Sequence, residues 1–497
     1  MGIVKRQGLS NTLLVYAGTA IGFLSLVVVQ PHFLSKEELG LTRLILAFSS
    51  VFSILFSLGI SAVTIRYLPK AFHPESRHRG FFGFLLSYTL AGIIAGTLVL
   101  HLAKGFILRS YVSGAEVFNE HFNYVLILTI ILAFVLGLNA YCIALMRTVI
   151  TTVLNDIVVR LLLIAIIFVR YSGFFDRESF LLAFCGIYAI QAMVLLLAIH
   201  RGDRPGLRPD LNFFRGSIGL RPIFRYGLII TLTALNSVTL KYVDTMFVGT
   251  ISLELVAVYS VSAFLGLAVE IPLNALERVA NPSVAHAFAR GDMSVVRTVY
   301  RDSARALLLF GGWLFLLVAA NAKDLFTLLP DDYDQGVIVT QVIALGALIN
   351  MGTGVNYPIL ANSHRYIWGS VFLVVLLLLT IAGNIVLIPK LGMLGAAIAG
   401  CIASVVYNGL KFEFIRRVFG MQPFDGSTAK LILVIFLVLA IGALLPMPGG
   451  AILSISIRSV LITAVYVLLV LGLRTSTGLY TYVPDTWRKR LPFLRTS

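Results

Sequence analysis

The sequence predicts an all-α polytopic membrane protein of about fourteen transmembrane helices, arranged as two repeated halves followed by one further helix pair. Composition is the first reason. Of 497 residues, 58% are hydrophobic and only 12% charged, and the mean hydropathy is +0.93; a soluble domain carries about 25% charged residues. The second reason is that apolar stretches of about 20 residues, enough to cross a bilayer, recur along the whole chain. The third is an internal repeat. The length would allow about three soluble domains, yet the longest hydrophilic piece runs only from His200 to Arg225.

In chain order, Lys5 and Arg6 precede an apolar run that continues through Val29 without a convincing cleavage site. It reads as a retained first helix, not a removed signal. The fourteen apolar segments fall near 11–31, 42–65, 81–103, 122–146, 152–170, 180–199, 226–249, 255–276, 304–321, 336–359, 367–388, 393–411, 429–446 and 453–473. Several nearly abut, so their turns are short and the neighbours antiparallel. Between the sixth and seventh runs HRGDRPGLRPDLNFFRGSIGLRPIFR, basic and broken by Gly and Pro. It reads as a linker along the inner membrane surface. The expected organisation is an N-terminal lobe over 1–200, the cytoplasmic linker over 201–225 and a C-terminal lobe over 226–425. The last two spans and a cytoplasmic tail fill 426–497.

The repeat pairs Phe33–Pro69 with Phe247–Pro282. Each copy has a short outer loop with Glu and Leu, a long apolar helix, an Arg near its inner end and a Pro that stops it. An even number of spans separates the copies, so the halves share one orientation and relate by an axis normal to the membrane. Orientation follows from Lys and Arg. With the N-terminus inside, 27 fall on the inner side and 9 on the outer, the other three (Arg160, Lys241, Arg278) lying within spans or at their ends. Both termini are therefore expected in the cytoplasm.

The net charge of +16 does not indicate nucleic-acid binding, because the basic residues sit in short loops as orientation signals do. Cys142, Cys185 and Cys401 all lie inside apolar spans without metal-ligand spacing, as buried small side chains. The chain has no GxxxxGK[ST] phosphate loop, no HExxH and no Cys/His array spaced for zinc, so neither direct ATP hydrolysis nor zinc chemistry is expected. The eight histidines sit mostly at span ends, as interfacial polar residues do. The expectation is a protein that is not an enzyme and uses no cofactor.

What remains is a sparse set of charges in the spans. Tyr226–Gly249 carries Lys241 and Asp244 one turn apart, on the face that also holds Thr233 and Ser237. A charge deep in hydrocarbon costs roughly 3 kcal/mol or more, so this face should look into protein or a wet cavity. The alternative is that the two charges simply neutralise each other. Asp156 and Arg160, at i and i+4, read as a structural charge pair. Arg43 and Arg66 stand at the two ends of the second segment. Glu270 lies two residues before Pro272, which should kink the eighth segment; its carboxyl is either an unpaired moving part or bonded to a neighbouring Asn or Thr. Glu277 and Arg278 sit near the inner end of that span, where snorkelling is the simpler reading. Gly18 and Gly22, Gly92 and Gly96, and Gly392, Gly395 and Gly400 mark close helix packing.

At NIVLIPKLGMLGAAIAGCIASVVYN, from Asn384 to Asn408, a helix end, a short outer Pro-Lys-Leu-Gly turn and a Gly-Ala-rich helix follow one another. This stretch resembles the polysaccharide flippases, the O-antigen or Wzx-type branch of the multidrug/oligosaccharidyl-lipid/polysaccharide exporter superfamily. FLSKEELGLTRLI and YVDTMFVGTISLELVAVYSVS resemble the same family at matching places, so the likeness runs from Ser10 to about Arg417. It implies two six-helix lobes in a V around a central cavity, with the last two helices as an added pair. It implies alternating access, and transfer of a polyprenyl-diphosphate-linked oligosaccharide between the leaflets of the bacterial inner membrane for polysaccharide or lipopolysaccharide assembly. Membrane lipids and the polysaccharide assembly machinery are then the expected partners. The helices that line such cavities would carry Arg43, Arg66, Lys241 and Arg278 as substrate-binding cations, with Asp244 and Glu270 as carboxylates for coupling to H⁺ or Na⁺. One departure stands out: the first helix holds no Arg or Lys between Arg6 and Gln30. The competing readings are a cation-coupled multidrug antiporter of the same fold, and a membrane-embedded polysaccharide polymerase.

Overall fold

The computed structural model describes residues 14–72, 78–109, 111, 116–203, 205–210, 219–444 and 449–473. Lys5, Arg6, residues 211–218 of the expected linker and the tail beyond 473 lie outside the described residues. Within them the chain is helical with no strand. Thirteen helices are long and apolar enough to cross a membrane, or fourteen if one bent pair counts as a single span. The chain is a multi-pass membrane protein, and it divides into two compact units, Met1–Ser260 and Val261–Ser497.

The first unit opens with α1 (Leu14–Phe33), α2 (Lys36–Ser57) and α3 (Ile60–Ala71). A capping box starts α2: the Glu38 amide donates to Ser35 Oγ at 3.1 Å, and the Ser35 amide to Glu38 Oε2 at 3.4 Å. Such reciprocal bonds satisfy amides that the helix itself leaves without partners. The expected 42–65 span begins earlier and is broken at Leu58 and Gly59, both left-handed. Glycine alone takes that backbone without penalty. A Cβ on Gly59 would also come within 3.0 Å of the Gly227 backbone, so this break is where α8 (Leu220–Gly249) crosses. Between them in sequence lie α4 (Phe81–Arg109), α5 (Asn123–Ala144), α6 (Thr148–Tyr171) and α7 (Arg177–Gly202). α2 packs against α4, α5 and α8, around a core that includes Leu39, Leu44, Ile45, Phe48, Leu128 and Phe180.

α9 (Leu253–Arg290) passes from the first unit into the second. A tight 3₁₀ turn interrupts it at Ala268–Glu270, and Pro272 opens the continuing helix. Proline fits a first helical turn, where its missing N–H is not needed. The two copies of the sequence repeat are thus broken at corresponding places. The second unit continues with α10 (Met293–Phe326), α11 (Gly336–Gly352) and α12 (Asn356–Asn362), the last two meeting at a 51° bend. Then come α13 (Ile367–Leu391), α14 (Met393–Phe419), α15 (Gly426–Leu444) and α16 (Ala451–Gly472). The terminal pair is moored to α10. Tyr466 donates to the Leu309 carbonyl at 2.8 Å and Trp313 to Thr463 at 3.0 Å. Arg458 pairs with Asp324, and Arg305 with Asp425.

Candidate functional site

The polar interior of the first unit gathers where two helices are locally underwound. α1 carries a π-helical stretch at Leu24–Val29 and α6 another at Leu154–Val158. Such bulges leave backbone groups out of the regular ladder and are frequent at functional sites. Gly18 and Gly22 of α1 meet Asp156 and Arg160 of α6. The Arg160 guanidinium donates to the Gly18 carbonyl. A Cβ on Gly22 would lie 2.9 Å from Arg160 Cζ, and one on Gly18 2.7 Å from Asp156 Cβ. These glycines therefore make room for Asp156 and Arg160 of α6, which accounts for their spacing more fully than helix packing alone. The first helix has no cation of its own in this stretch; α6 brings one to it.

Arg43 enters from α2. It donates to Gln30 Oε1 at 2.6 Å, and Gln30, 2% exposed, donates at 3.0 Å to Ser25 within the π stretch. The charges and phenols acting on Arg43 are Tyr188 of α7, Tyr242 of α8 and Arg160. Beside them Gln191, 3% exposed, donates to Asn155, and Asn139 reaches the same oxygen at 3.4 Å. Two guanidiniums, four amides and two phenols are therefore contributed by six helices. Guanidinium pairs of this kind take up phosphate oxygens in bidentate fashion, and amides and phenols replace the water of hydroxyl-rich groups.

The other sequence candidates fall around this cluster or away from it. Lys241 is exposed, its Nζ 5.0 Å from the Tyr242 ring centroid. Asp244, half-buried, accepts a hydrogen bond from the Tyr259 hydroxyl at 2.9 Å. Arg66 lies beyond the Leu58–Gly59 break, exposed, with its guanidinium 4.3 Å from the centroid of Tyr226 and 5.6 Å from that of Tyr67. Arg278 is exposed on the later part of α9, within the second unit.

The second unit has its own polar centre. Asn350 donates to Glu270 Oε1 at 3.2 Å. Lys411 of α14 is 2% exposed, with Nζ 3.8 Å from the Tyr407 ring centroid. Around the α11–α12 bend, Thr353 donates to Asn408 at 3.0 Å and Asn356 to Thr353 at 2.8 Å. Gly354 takes a positive φ of 70° there, packed against Ala304 and Ser303. Among the described residues no group of three His, Cys, Asp or Glu side chains could hold a metal ion.

Sequence reasoning did not single out Gln30, Tyr188, Gln191 or Lys411. The amides and phenol are ordinary in apolar helices, and only their partners mark them. Lys411 ended a predicted span and was counted among the loop cations. The signal that could have found it is the helical pattern continuing to Phe419, which puts the lysine two turns inside.

The fold is shared with solved membrane transporters. The lipid II flippase MurJ, in an inward closed conformation, matches with a TM-score of 0.73 at 13% identity, over 92% of this chain and 97% of that one. A multidrug resistance MATE family transporter of the MOP superfamily, inward-facing, matches with 0.62 at 14% identity, over 82% and 94%. The outward-facing form of a MATE family transporter gives 0.51 at 15%, over 84% and 95%. No family model matches the chain, and no curated protein does. At these identities the likeness establishes the fold.

Proposed function

We propose that this chain is a flippase, which moves a polyprenyl-diphosphate-linked oligosaccharide from the inner to the outer leaflet by alternating access, driven by an H⁺ or Na⁺ gradient. The observation that carries this reading is the meeting of Arg43 and Arg160 with Gln30, Tyr188 and Tyr242 inside a bundle of membrane helices. A diphosphate calls for arginines. A glycan headgroup must exchange its water for protein partners or lose several kcal/mol per stripped polar group. Arg66, Lys241 and Arg278 are the further cations assigned to substrate. The 27 to 9 bias of basic residues supports a bacterial inner-membrane orientation with both termini in the cytoplasm.

Asp244 and Glu270 are the carboxylates from which ion coupling is drawn. A coupled ion biases the inward–outward equilibrium only if its affinity differs between the two states. Tyr259 anchors Asp244, whereas Glu270 stands at a helix break, and we assign the coupling to Glu270.

The partly exposed pair Glu270 and Glu277 favours a second reading, the cation-coupled multidrug antiporter, since carboxylates draw organic cations. Purified protein in liposomes separates the readings. Transfer of a fluorescent lipid-linked oligosaccharide to the far leaflet is expected. Efflux of an organic cation without lipid transfer would replace the flippase with the antiporter. Glycosidic-bond formation would point instead to a polymerase.

A further inference from the structure

We propose that the first unit holds one anionic phospholipid of the surrounding membrane in a cavity between the start of α4 and the end of α7, its phosphate on Arg208 and His200 and an acyl chain along α7. The site stands apart from the flippase reading and does not depend on it.

α4 and α7 both pack against α5. Phe82 and Leu86 of α4, with Met193, Leu196, Leu197 and His200 of α7, line a cavity of about 900 Å³. Ligand pockets run to about 1,000 Å³, so the space has the size of a ligand site. The four α7 residues fall at i, i+3, i+4 and i+7, one stripe of the helix. Met193, Leu196 and Leu197 are exposed, as a lipid-facing stripe is. His200 ends the stripe, about 10 Å from Met193 at about 1.5 Å rise per residue. Tyr188 and Gln191, which belong to the arginine cluster, fall on the opposite side of α7. The cavity is therefore a second site.

The chain beyond α7 supplies the polar end. Pro205, Gly206, Leu207 and Arg208 also line the cavity, and two glycines seat this strap on the start of α4. The Gly83 amide donates to the Gly206 carbonyl at 3.3 Å. A Cβ on Gly83 would lie 1.8 Å from the Leu207 carbonyl oxygen. One on Gly80, whose φ is +63°, would lie 1.8 Å from the Arg208 carbonyl oxygen. Only a residue without a Cβ lets two backbones approach so closely. The strap thus holds Arg208 on the cavity that His200 also lines. Among the described residues neither side chain makes a hydrogen bond or an ion pair. Asp210, half-buried, has a partner of its own and does not line the cavity.

Charge and shape select the occupant. The membrane span of α7 ends at Gly202, so His200 and the strap lie at a membrane surface. A guanidinium forks onto phosphate oxygens, and an imidazole has an N–H to donate in either protonation state. Basic pockets between membrane helices take anionic lipid headgroups for this reason. From His200 the stripe back to Met193 gives an acyl chain an apolar path into the hydrocarbon. A zwitterionic lipid would bring its own ammonium towards Arg208, and the repulsion offsets what its phosphate gains.

Native mass spectrometry of the delipidated full-length protein tests this, with titrations of phosphatidylglycerol and of phosphatidylcholine carrying the same acyl chains. The wild type is expected to bind its first phosphatidylglycerol roughly fivefold or more tightly than phosphatidylcholine. Arg208→Gln should lower phosphatidylglycerol binding roughly fivefold and leave phosphatidylcholine as it was. Arg201→Gln removes an exposed cation of α7 that does not line the cavity, and should change neither. Leu196→Trp fills the cavity and should weaken both lipids. If it does not fold, Arg208→Gln and Arg201→Gln, both at exposed side chains, carry the test. Equal affinity of the wild type for the two lipids overturns the proposal, and so does an equal loss in Arg208→Gln and Arg201→Gln. Phosphatidylglycerol binding unchanged in folded Leu196→Trp overturns it too, because the phosphate alone would then be held, without the acyl chain.

Discussion

The Tyr259 hydroxyl donates to the Asp244 carboxylate across 2.9 Å and so joins α9 to α8 within the first unit. The residues' spacing sets Asp244 one turn from Lys241, but the phenol gives it a partner on the next helix. Double-mutant cycles on melting stability are expected to couple Tyr259→Phe with Asp244→Asn by about 0.5–3 kcal/mol, as contacting residues do. Lys241→Met and Asp244→Asn are expected to add within about 0.5 kcal/mol. A larger coupling for the lysine pair than for the tyrosine pair would reverse this assignment. In vesicles, Asp244→Asn is expected to keep its response to an imposed proton gradient, whereas Glu270→Gln loses it.

Arg43 and Arg160 are expected to matter most for substrate. A hydrogen bond to a charged group contributes about 1.5–3 kcal/mol, and each 1.4 kcal/mol is about tenfold. Arg43→Ala and Arg160→Ala should therefore each lower lipid transfer by roughly 10- to 100-fold at matched protein level. The lysine variants, which keep charge but lose the planar fork, should fall between. The exposed Arg66, Lys241 and Arg278 should show smaller losses. Ordinary transfer by both alanine variants would remove the anion-binding role.

Gly22 gives a steric test of the same cluster. A side chain there displaces the Arg160 guanidinium, and overpacking of this kind costs about 1–3 kcal/mol. Gly22→Val should lower both the melting temperature and transfer. Gly105, whose added Cβ would meet nothing within 4 Å, serves as the control, and Gly105→Ala should leave both unchanged.

Orientation is checked by reporter fusions. Those at Glu120 and Asp332 should read outside, and those at Arg79 and Arg215 inside. An inside signal at Asp332 would break the assignment of the second half.

One pH effect lies outside the membrane helices. Asp292 caps α10, accepting from the Val295 amide at 3.2 Å and from the Ser294 hydroxyl at 2.7 Å. The Ser294 hydrogen bond first, and the Val295 amide next, hold its carboxyl below the usual value of 3.8. Its folded-state value is therefore depressed. The contribution to stability is full above the ordinary aspartate range and is lost as pH falls through the lower folded value. Asp292→Ala should lower the melting temperature at neutral pH, and the gap from wild type should close in acid. A gap that persists at the lowest pH would show that the cap acts without its charge.

The sequence by itself determined the helical spans, because in a bilayer each backbone N–H and C=O must find its partner within the segment. Length and hydropathy then suffice. It also marked the break at Glu270, since Pro272 cannot supply the N–H that a continuous helix needs. The break at Leu58 and Gly59 was not legible. Glycine tolerates a left-handed turn anywhere, and only the crossing of Gly227 makes one necessary here. Side-chain spacing likewise set Asp156 and Arg160 on one face of α6 and Lys241 and Asp244 on one face of α8. Which atoms those faces meet was decided by tertiary structure: the Gly18 carbonyl for Arg160, and the Tyr259 hydroxyl for Asp244. Helical periodicity fixes a direction around one axis and carries no information about the helix on the other side. For the same reason Lys411 reads as one more basic residue at a span end, whereas the packing of α14 buries it against Tyr407.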